Sequence, residues 1–272
     1  LKNWVKDSEN RGPKTGFVPT MGALHEGHIS LINSCQSHSD VCICSIFVNP
    51  AQFNDPEDFK KYPVSTENDI EMLEKAGTDL LFMPSVTEVY PHGDKGLETY
   101  DLGVLEKVLE GRYRPGHFQG VCQVMCRLLQ LVKPHYLFMG QKDYQQCLVV
   151  KRLIGLLNLP VEFHMVPTIR EKGGLALSSR NRRLTAHQKL SAESIFLSLN
   201  EIKKQIIPGN TGQLIEKAII RLTASDFKID YVSIARQKDL QTVENWDGKE
   251  KIVALIAAFQ GEVRLIDNIL LN

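Results

Sequence analysis

Five short apolar runs, each followed by a stretch of helical spacing, lay out the first part of the chain. Phe17 and Val18 open the first run, and Pro19, which cannot donate to a central ladder, is expected to end it. Val41 to Val48 is almost continuously apolar, as strands buried on both faces are. Asp79 to Pro84, His135 to Met139 and Val161 to Pro167 complete the set. Between them, Leu24 onward carries Ile29, Leu31 and Ile32, and Thr66 to Ala76 puts Ile70, Leu73 and Ala76 on one face before Gly77 stops it. Val104 to Leu109 reads as a short helix, Gln119 to Val132 repeats Val121, Val124, Met125, Leu128 and Leu129 at helical spacing, and Tyr144 to Leu157 is again helical. Asn54 to Pro63 is polar and reads as a loop and candidate lid, and Tyr90 to Gly103 as a second loop. Alternation of this kind predicts a parallel sheet with right-handed crossovers and helices on both faces.

The texture changes after Thr168. Ile169 to Arg183 (IREKGGLALSSRNRR) is basic and glycine-containing, as a hinge and loop would be. Thr185 to Ile207 predicts a long helix capped by Thr185, and Leu214 to Leu222 a second one. Ile229 to Ile234 alternates like a half-exposed strand, and Lys251 to Ala258 and Val263 to Leu270 flank the turn Gln260-Gly261-Glu262. The expected organisation is therefore an α/β domain over residues 1–168 and a smaller C-terminal α+β domain with antiparallel strands over residues 169–272.

In a parallel sheet, ligands bind beyond the carboxyl ends of the strands. Three polar stretches fall there: Thr20-Met21-Gly22, Asn49 to Gln52, and Gly140 to Asp143. The first belongs to GFVPTMGALHEGH, Gly16 to His28, whose strand, tight turn and helix start suit a phosphate: N–H groups of a first helical turn point at an anion that the helix dipole also favours. His25 and His28, three apart, add side-chain donors, and Gly27 between them leaves the backbone open to close approach. An H-x-x-H pair also suits a metal, yet zinc wants three or four ligands and no third lies nearby in sequence. Two exposed helix histidines are the plain alternative.

Composition narrows the class. Thirty-two lysines and arginines balance 32 acids, so no basic excess calls for nucleic acid, while a small anionic ligand held by a local cluster remains open. The six cysteines form no C-x-x-C pair and sit mostly in apolar context, which implies core packing in a reducing cytoplasm rather than disulfides. The polar start of the chain has no apolar signal core, and no apolar run approaches the roughly 20 residues of a membrane span.

PTMGALHEGH, SIFVNPAQF, RPGHF, GQKDYQQ and SSRNRRL, in this order and spacing, resemble the pantothenate synthetase (pantoate–β-alanine ligase) family, with a weaker echo in RLIDNILL. The resemblance implies a Rossmann-like sheet and an ATP-dependent, AMP-forming amide ligase of coenzyme A biosynthesis, cytoplasmic and homodimeric. It joins (R)-pantoate to β-alanine through a pantoyl adenylate, with magnesium (Mg2+) accompanying ATP and with neither nucleic acid nor membrane as a partner. A nucleotidylyltransferase acting on another small acceptor is the alternative enzyme. A nucleotide-binding regulatory module without turnover is the alternative of another class. A tRNA synthetase is disfavoured, because no anticodon-binding domain or basic face is visible in the last hundred or so residues.

Residue by residue, the resemblance implies an ATP site over Met21, Gly22, Ala23, Leu24, His25, Glu26, Gly27 and His28, with His28 as proton donor. It adds Gly140, Gln141, Lys142 and Asp143 for adenosine and phosphates, Ile169 for the adenine, and Leu177, Ser178, Ser179 and Arg180 closing over the triphosphate. His25, His28, Lys142 and Arg180 would carry the catalysis. Gln52 and Gln146 would bind pantoate, with Asn49, Arg114 and His117 at the pantoate and β-alanine end. From the residues alone, Lys142-Asp143 also reads as a solvated strand-end pair, Arg180 as part of a solvated basic face, and Arg114 to His117 as only a turn. Gln141, Leu177 and Gly173 stand where the family often has Glu, Met and Asp. No protein ligand for magnesium is evident; Asp69 is named for it, against the alternative of a solvated helix acid.

Overall fold

β1 (Thr15–Thr20) is the middle strand of five. In the computed structural model, which describes residues 12–53, 56–93 and 97–272, it is flanked by β2 (Val41–Ile46) and β3 (Leu80–Phe82) on one side. β4 (Tyr136–Gly140) and β5 (Glu162–Val166) lie on the other, and every pairing is parallel. The order reverses between β1 and β4, so right-handed crossovers put helices on opposite faces and open a crevice at the carboxyl edge. On one face, Leu31, Ile32 and Cys35 of α1 (Glu26–Gln36) and Leu73 of α2 (Thr66–Lys75) bury Val18, Cys42, Cys44 and Phe138. α3 (His117–Val132) and α4 (Tyr144–Leu156) are the remaining long helices of this part of the chain.

The first strand does not stop at Pro19. It runs to Thr20, in register with β2 from Thr15↔Val41 to Thr20↔Ile46. Its ladder with β4, however, covers only Gly16 and Phe17. The Thr20 carbonyl accepts from the Phe47 N–H on the β2 side, so the alternation of the strand turns Pro19 toward β4, where no ladder bond remains to be lost. Pro56–Lys60, inside the expected loop, is helical, and Asn54 and Asp55 at the head of that loop lie outside the described residues, as do residues 1–11.

The chain groups into two units. One contains the sheet: the chain up to Leu102, Arg114–Gln141 and Val149–Pro167. The other gathers Gly103–Tyr113, Lys142–Leu148 and Thr168–Asn272. Its larger antiparallel sheet has three strands, β6 (Phe227–Arg236), β7 (Ile252–Gln260) and β8 (Val263–Leu270), with β7 in the middle. Against them pack α5 (Ala186–Gln205), capped by Thr185 as expected, and α6 (Gly212–Ala224), with Ile195, Leu199, Ile202 and Leu222 facing Ile252, Ile256 and Phe227. The central strand β7 is buried nearly end to end. Two earlier stretches join this unit through polar contacts. Arg264 on β8 forms a bidentate pair with Glu110 (2.7 and 2.8 Å) and bonds Asp230 (2.8 Å), while the Tyr231 hydroxyl donates to Glu110 (2.9 Å). Burial, then the neighbouring Glu110 carboxylate, pushes the Tyr231 phenol well above its ordinary range. Gln145 donates to the carbonyls of Leu105 and Val108 and accepts from the Glu110 N–H.

Truncating Glu110 removes the bidentate partner of a partly buried Arg264 and leaves Asp230 alone to balance it. Glu110→Ala is expected to cost about 3–5 kcal/mol, read as a lower urea midpoint at unchanged slope. All six cysteines are buried and free, and burial pushes the Cys44 thiol up to about 12. A thiol reagent should therefore label the native protein slowly and find six thiols at once in denaturant; a fast-reacting thiol in native protein would contradict this packing.

Candidate active site

At the carboxyl edge of β1 the chain must leave the sheet and start a helix within five residues. Thr20 begins the change: its hydroxyl donates to the Ser45 carbonyl (2.7 Å) and accepts from the Gly22 N–H (3.2 Å). Gly22 (φ +81) and Ala23 (φ +51) then take left-handed backbone, which Gly tolerates and Ala resists. Asp69, on α2 and only 1 % exposed, accepts from the Ala23 N–H (2.7 Å), the Leu24 N–H (2.8 Å) and the Ser65 hydroxyl (2.9 Å). Burial overturns the solvated reading of Asp69, and the donors around its oxygens give it a task other than holding magnesium. An apolar cavity of about 240 Å³ lies against the same turn, walled by Met21, Ala23, Phe47, Val64 and Pro84.

The helix starts at Glu26 rather than at Leu24, with His25 as its N-cap. His25 Nδ1 accepts from the Gly27 N–H (3.1 Å), and His28 Nδ1 accepts from the His25 N–H (3.3 Å), so the two rings form a reciprocal capping box with centroids 4.1 Å apart. A ring nitrogen that accepts carries no hydrogen, so in both neutral rings the hydrogen sits on Nε2. Much of the turn's backbone donor capacity is thus used internally: the N–H groups of Gly22 to His25 and of Gly27 all have protein partners. The Nε2 atoms of His25 and His28 thus carry the ring hydrogens, where the sequence suggested bare backbone N–H groups for a phosphate.

The second sequence patch, at the end of β2, is held just as closely. Asn49, 1 % exposed, caps the short turn Pro50–Gln52: its Oδ1 accepts from the Ala51 N–H and the Tyr90 hydroxyl, and its Nδ2 donates to the Gly120 carbonyl (3.2 Å). Asn49, expected at a ligand, is given by these bonds to the turn that carries Gln52. The Gln52 side-chain amide reaches the Met21 sulfur. His117 Nδ1 donates to the Gln52 carbonyl (2.7 Å), which leaves its Nε2 as the acceptor for the Arg114 guanidinium (3.0 Å). Met21, Asn49, Gln52, Arg114 and His117, dispersed in sequence, are therefore contiguous. α3 comes so close at Gly120 that a Cβ there would collide with the Ala51 carbonyl and meet the Gln52 Cα at 2.9 Å.

The remaining expected residues, beyond Gly140 and Gln141 at the end of β4, belong to the second unit. Lys142 and Asp143 face one another at 3.3 Å, and the Lys142 carbonyl accepts from the Asn268 amide (2.9 Å). Arg170, next to Ile169, grips Asp267 through both guanidinium nitrogens and lies over the Phe196 ring (4.3 Å). Residues 169–177, expected as a hinge, form a tight hairpin: Glu171 N–H to Leu175 carbonyl (2.8 Å) and Leu177 N–H to Ile169 carbonyl (3.0 Å). Glu193 fills the space that a side chain at Gly173 would take. Ser178 caps the following turn, Ser179–Arg183, by accepting from the Arg180 N–H (3.3 Å). Ser179 is buried, while Arg180 and Gln146 are half-buried. Gln145 beside it is the buried structural one. Asn268 and Gln145 were not anticipated; the RLIDN echo held the only sequence signal for the first.

A family model described as pantoate–β-alanine ligase matches residues 1–270. The chain belongs to the pantoate–β-alanine ligase family. A pantothenate synthetase of Cytophaga hutchinsonii is 42% identical, covering 100% of this chain and 96% of its own length. Among solved structures, pantothenate synthetase from Thermus thermophilus superposes with a TM-score of 0.87 at 37% identity, over 100% of this chain and 98% of that one. The pantoate–β-alanine ligase of Francisella tularensis, complexed with β,γ ATP and β-alanine, gives 0.82 at 38% identity, over 98% and 94%. The five-stranded parallel sheet with helices and the antiparallel C-terminal strands are thus the family's architecture, as the alternation of apolar runs implied.

Gly120→Ala is expected to push α3 off the Gln52 turn, costing about 1–3 kcal/mol of stability. It should raise the KM for the acid substrate more than that for ATP, measured by steady-state kinetics at fixed folded fraction.

Proposed function

We propose that this chain condenses (R)-pantoate with β-alanine in two steps, consuming ATP and releasing AMP and pyrophosphate. In the first, a pantoate carboxylate oxygen bonds to the α-phosphorus, the bond to pyrophosphate breaks, and pantoyl adenylate forms. In the second, the β-alanine amine bonds to the acyl carbon, the bond to AMP breaks, and the amine gives up its proton as the amide forms. Adenylation matters because a free carboxylate has no good leaving group, whereas an acyl phosphate ester does.

The paired Nε2–H donors of His25 and His28 carry the reading, since they aim hydrogen bonds where negative charge grows on phosphate as pyrophosphate departs. Lys142 serves as a compact cation and Arg180 as a planar donor fork on the triphosphate, with Ser178 and Ser179 adding hydroxyls. The family resemblance assigns Met21 to His28, Gly140 to Asp143, Ile169 and Leu177 to the nucleotide. Gln52 and Gln146 meet the pantoate hydroxyls as neutral donor–acceptor amides, and Arg114 and His117 flank the β-alanine end. The complex of the Francisella relative with β,γ ATP and β-alanine supports the substrate pairing.

Magnesium enters as the counter-ion of ATP. Among the described residues no group of three His, Cys, Asp or Glu side chains is arranged to hold a metal ion, and the Asp69 oxygens already accept three hydrogen bonds. On this reading magnesium arrives with the substrate, its charge neutralising the phosphates. Six buried thiols suit a reducing cytoplasm, and a homodimer follows from the family resemblance. No helix among the described residues is long and apolar enough to cross a membrane.

Pyrophosphate and AMP release from magnesium ATP tests the reading. Sustained AMP formation should need pantoate and β-alanine together, while pantoate alone should support exchange of labelled pyrophosphate into ATP. His28→Ala should lower that exchange about 10²–10³-fold with the fold intact. Accumulation of an adenylylated product in the presence of an amine, without AMP, would point to the nucleotidylyltransferase instead.

A further inference from the structure

We propose that Asp69 is a positioning residue for adenylyl transfer, holding with its carboxylate the turn from which His25 and His28 are set; the proposal rests on the reading that this turn receives ATP.

Three observations carry it. The carboxylate is buried, and each oxygen takes a backbone N–H from consecutive residues, Ala23 to Oδ2 at 2.7 Å and Leu24 to Oδ1 at 2.8 Å. Bonds of this length between a carboxylate and backbone N–H groups are charge-assisted, and about twice as strong as neutral ones. Next, the turn they hold is the one that local sterics oppose. Ala23 is left-handed at φ +51, a conformation that persists only when its surroundings over-determine it. The carboxylate also packs against Gly22 so closely that a Cβ there would meet Oδ2 at 3.0 Å. Finally, the held N–H of Leu24 lies one residue before His25, whose own N–H fixes His28 Nδ1. A shift of the turn is passed through that cap to both rings, without any contact between Asp69 and substrate.

Ser65, four residues earlier at the start of α2, donates to Oδ1 (2.9 Å) and aims the carboxylate. The anchor thus ties the strand-to-helix turn to the end of the segment that follows the Gln52 patch.

Asp69→Asn keeps the shape but offers an NH2 to one of the two N–H groups. The ligand-free protein, wild type and variant, is examined by amide hydrogen exchange at residues 23 and 24. Pantoate-dependent exchange of pyrophosphate into ATP is then measured against magnesium concentration, with melting as the fold control. The expected result is loss of protection at the two amides, a kcat lowered about 10- to 100-fold at little change in pantoate KM, and an unaltered magnesium requirement. Ser65→Ala should lower kcat about threefold in the same assay, and keeps the test open should Asp69→Asn fold poorly.

Protected amides in the variant overturn the proposal. So does full activity per folded molecule, which would make Asp69 merely structural. Activity restored by excess magnesium overturns it in favour of a metal ligand. If wild type shows no pantoate-dependent exchange, the ligase reading fails instead, and the amide measurement still decides whether Asp69 holds the turn.

Discussion

A strand in the middle of a sheet can leave it only by turning its backbone out of the ladder, and every N–H exposed by that exit must find a partner. At the end of β1 the partners come from three directions: the hydroxyl of Thr20, the carboxylate of Asp69 from a neighbouring helix, and the imidazoles of His25 and His28 from the helix being started. The order of the sheet puts this exit beside the reversal between β1 and β4, where a crevice must open. On the proposed reading, anion recognition here is a by-product of how the turn is satisfied. The backbone is consumed by its own supports, and the supporting rings keep their hydrogens on the far nitrogens.

The cluster of Gln52, Arg114 and His117 follows the opposite logic with the same residue type. His117 donates through Nδ1 to the Gln52 carbonyl and accepts at Nε2 from Arg114, so its ring hydrogen lies on the nitrogen that His25 and His28 keep bare. One histidine tautomer thus holds a turn in place and supports a cation, while the other builds a donor pair. Asn49 closes the arrangement by spending its whole amide on the Gln52 turn, on Tyr90 and on α3.

Periodicity made the sheet legible because buried parallel strands must be apolar at nearly every position, as Val41 to Ile46 is, and because the helices between them repeat at 3.6. It misjudged Pro19, since a missing N–H matters only on a side where a ladder continues, and that depends on where β4 ends. The motifs named His25, Gln52 and Lys142 because they lie on turns whose sequence is informative in itself. They could not reveal Asp69, whose partners are 45 and 46 residues away, or Asn268, whose partner is 126 away. A carboxylate on an amphipathic helix looks solvated until something is known to cover it. Gly173 and Gly174 suggested looseness by composition, but the space beside them is filled by Glu193 and Phe196.

The pairing of Glu110 with Arg264 spans 154 residues, and the unit it belongs to draws on chain made long before its own strands. On a ribosome, Gly103–Tyr113 and Lys142–Leu148 emerge with no surface yet made to receive them. They must stay available until β6 and β8 are translated, which makes closure of this unit a late event dominated by distant contacts, the kind that folds slowly. A gene cut at residue 168 would separate two lengths of chain but not two folding units: the C-terminal product would carry Arg264 with Asp230 but without its bidentate partner, and the N-terminal product Glu110 without its base.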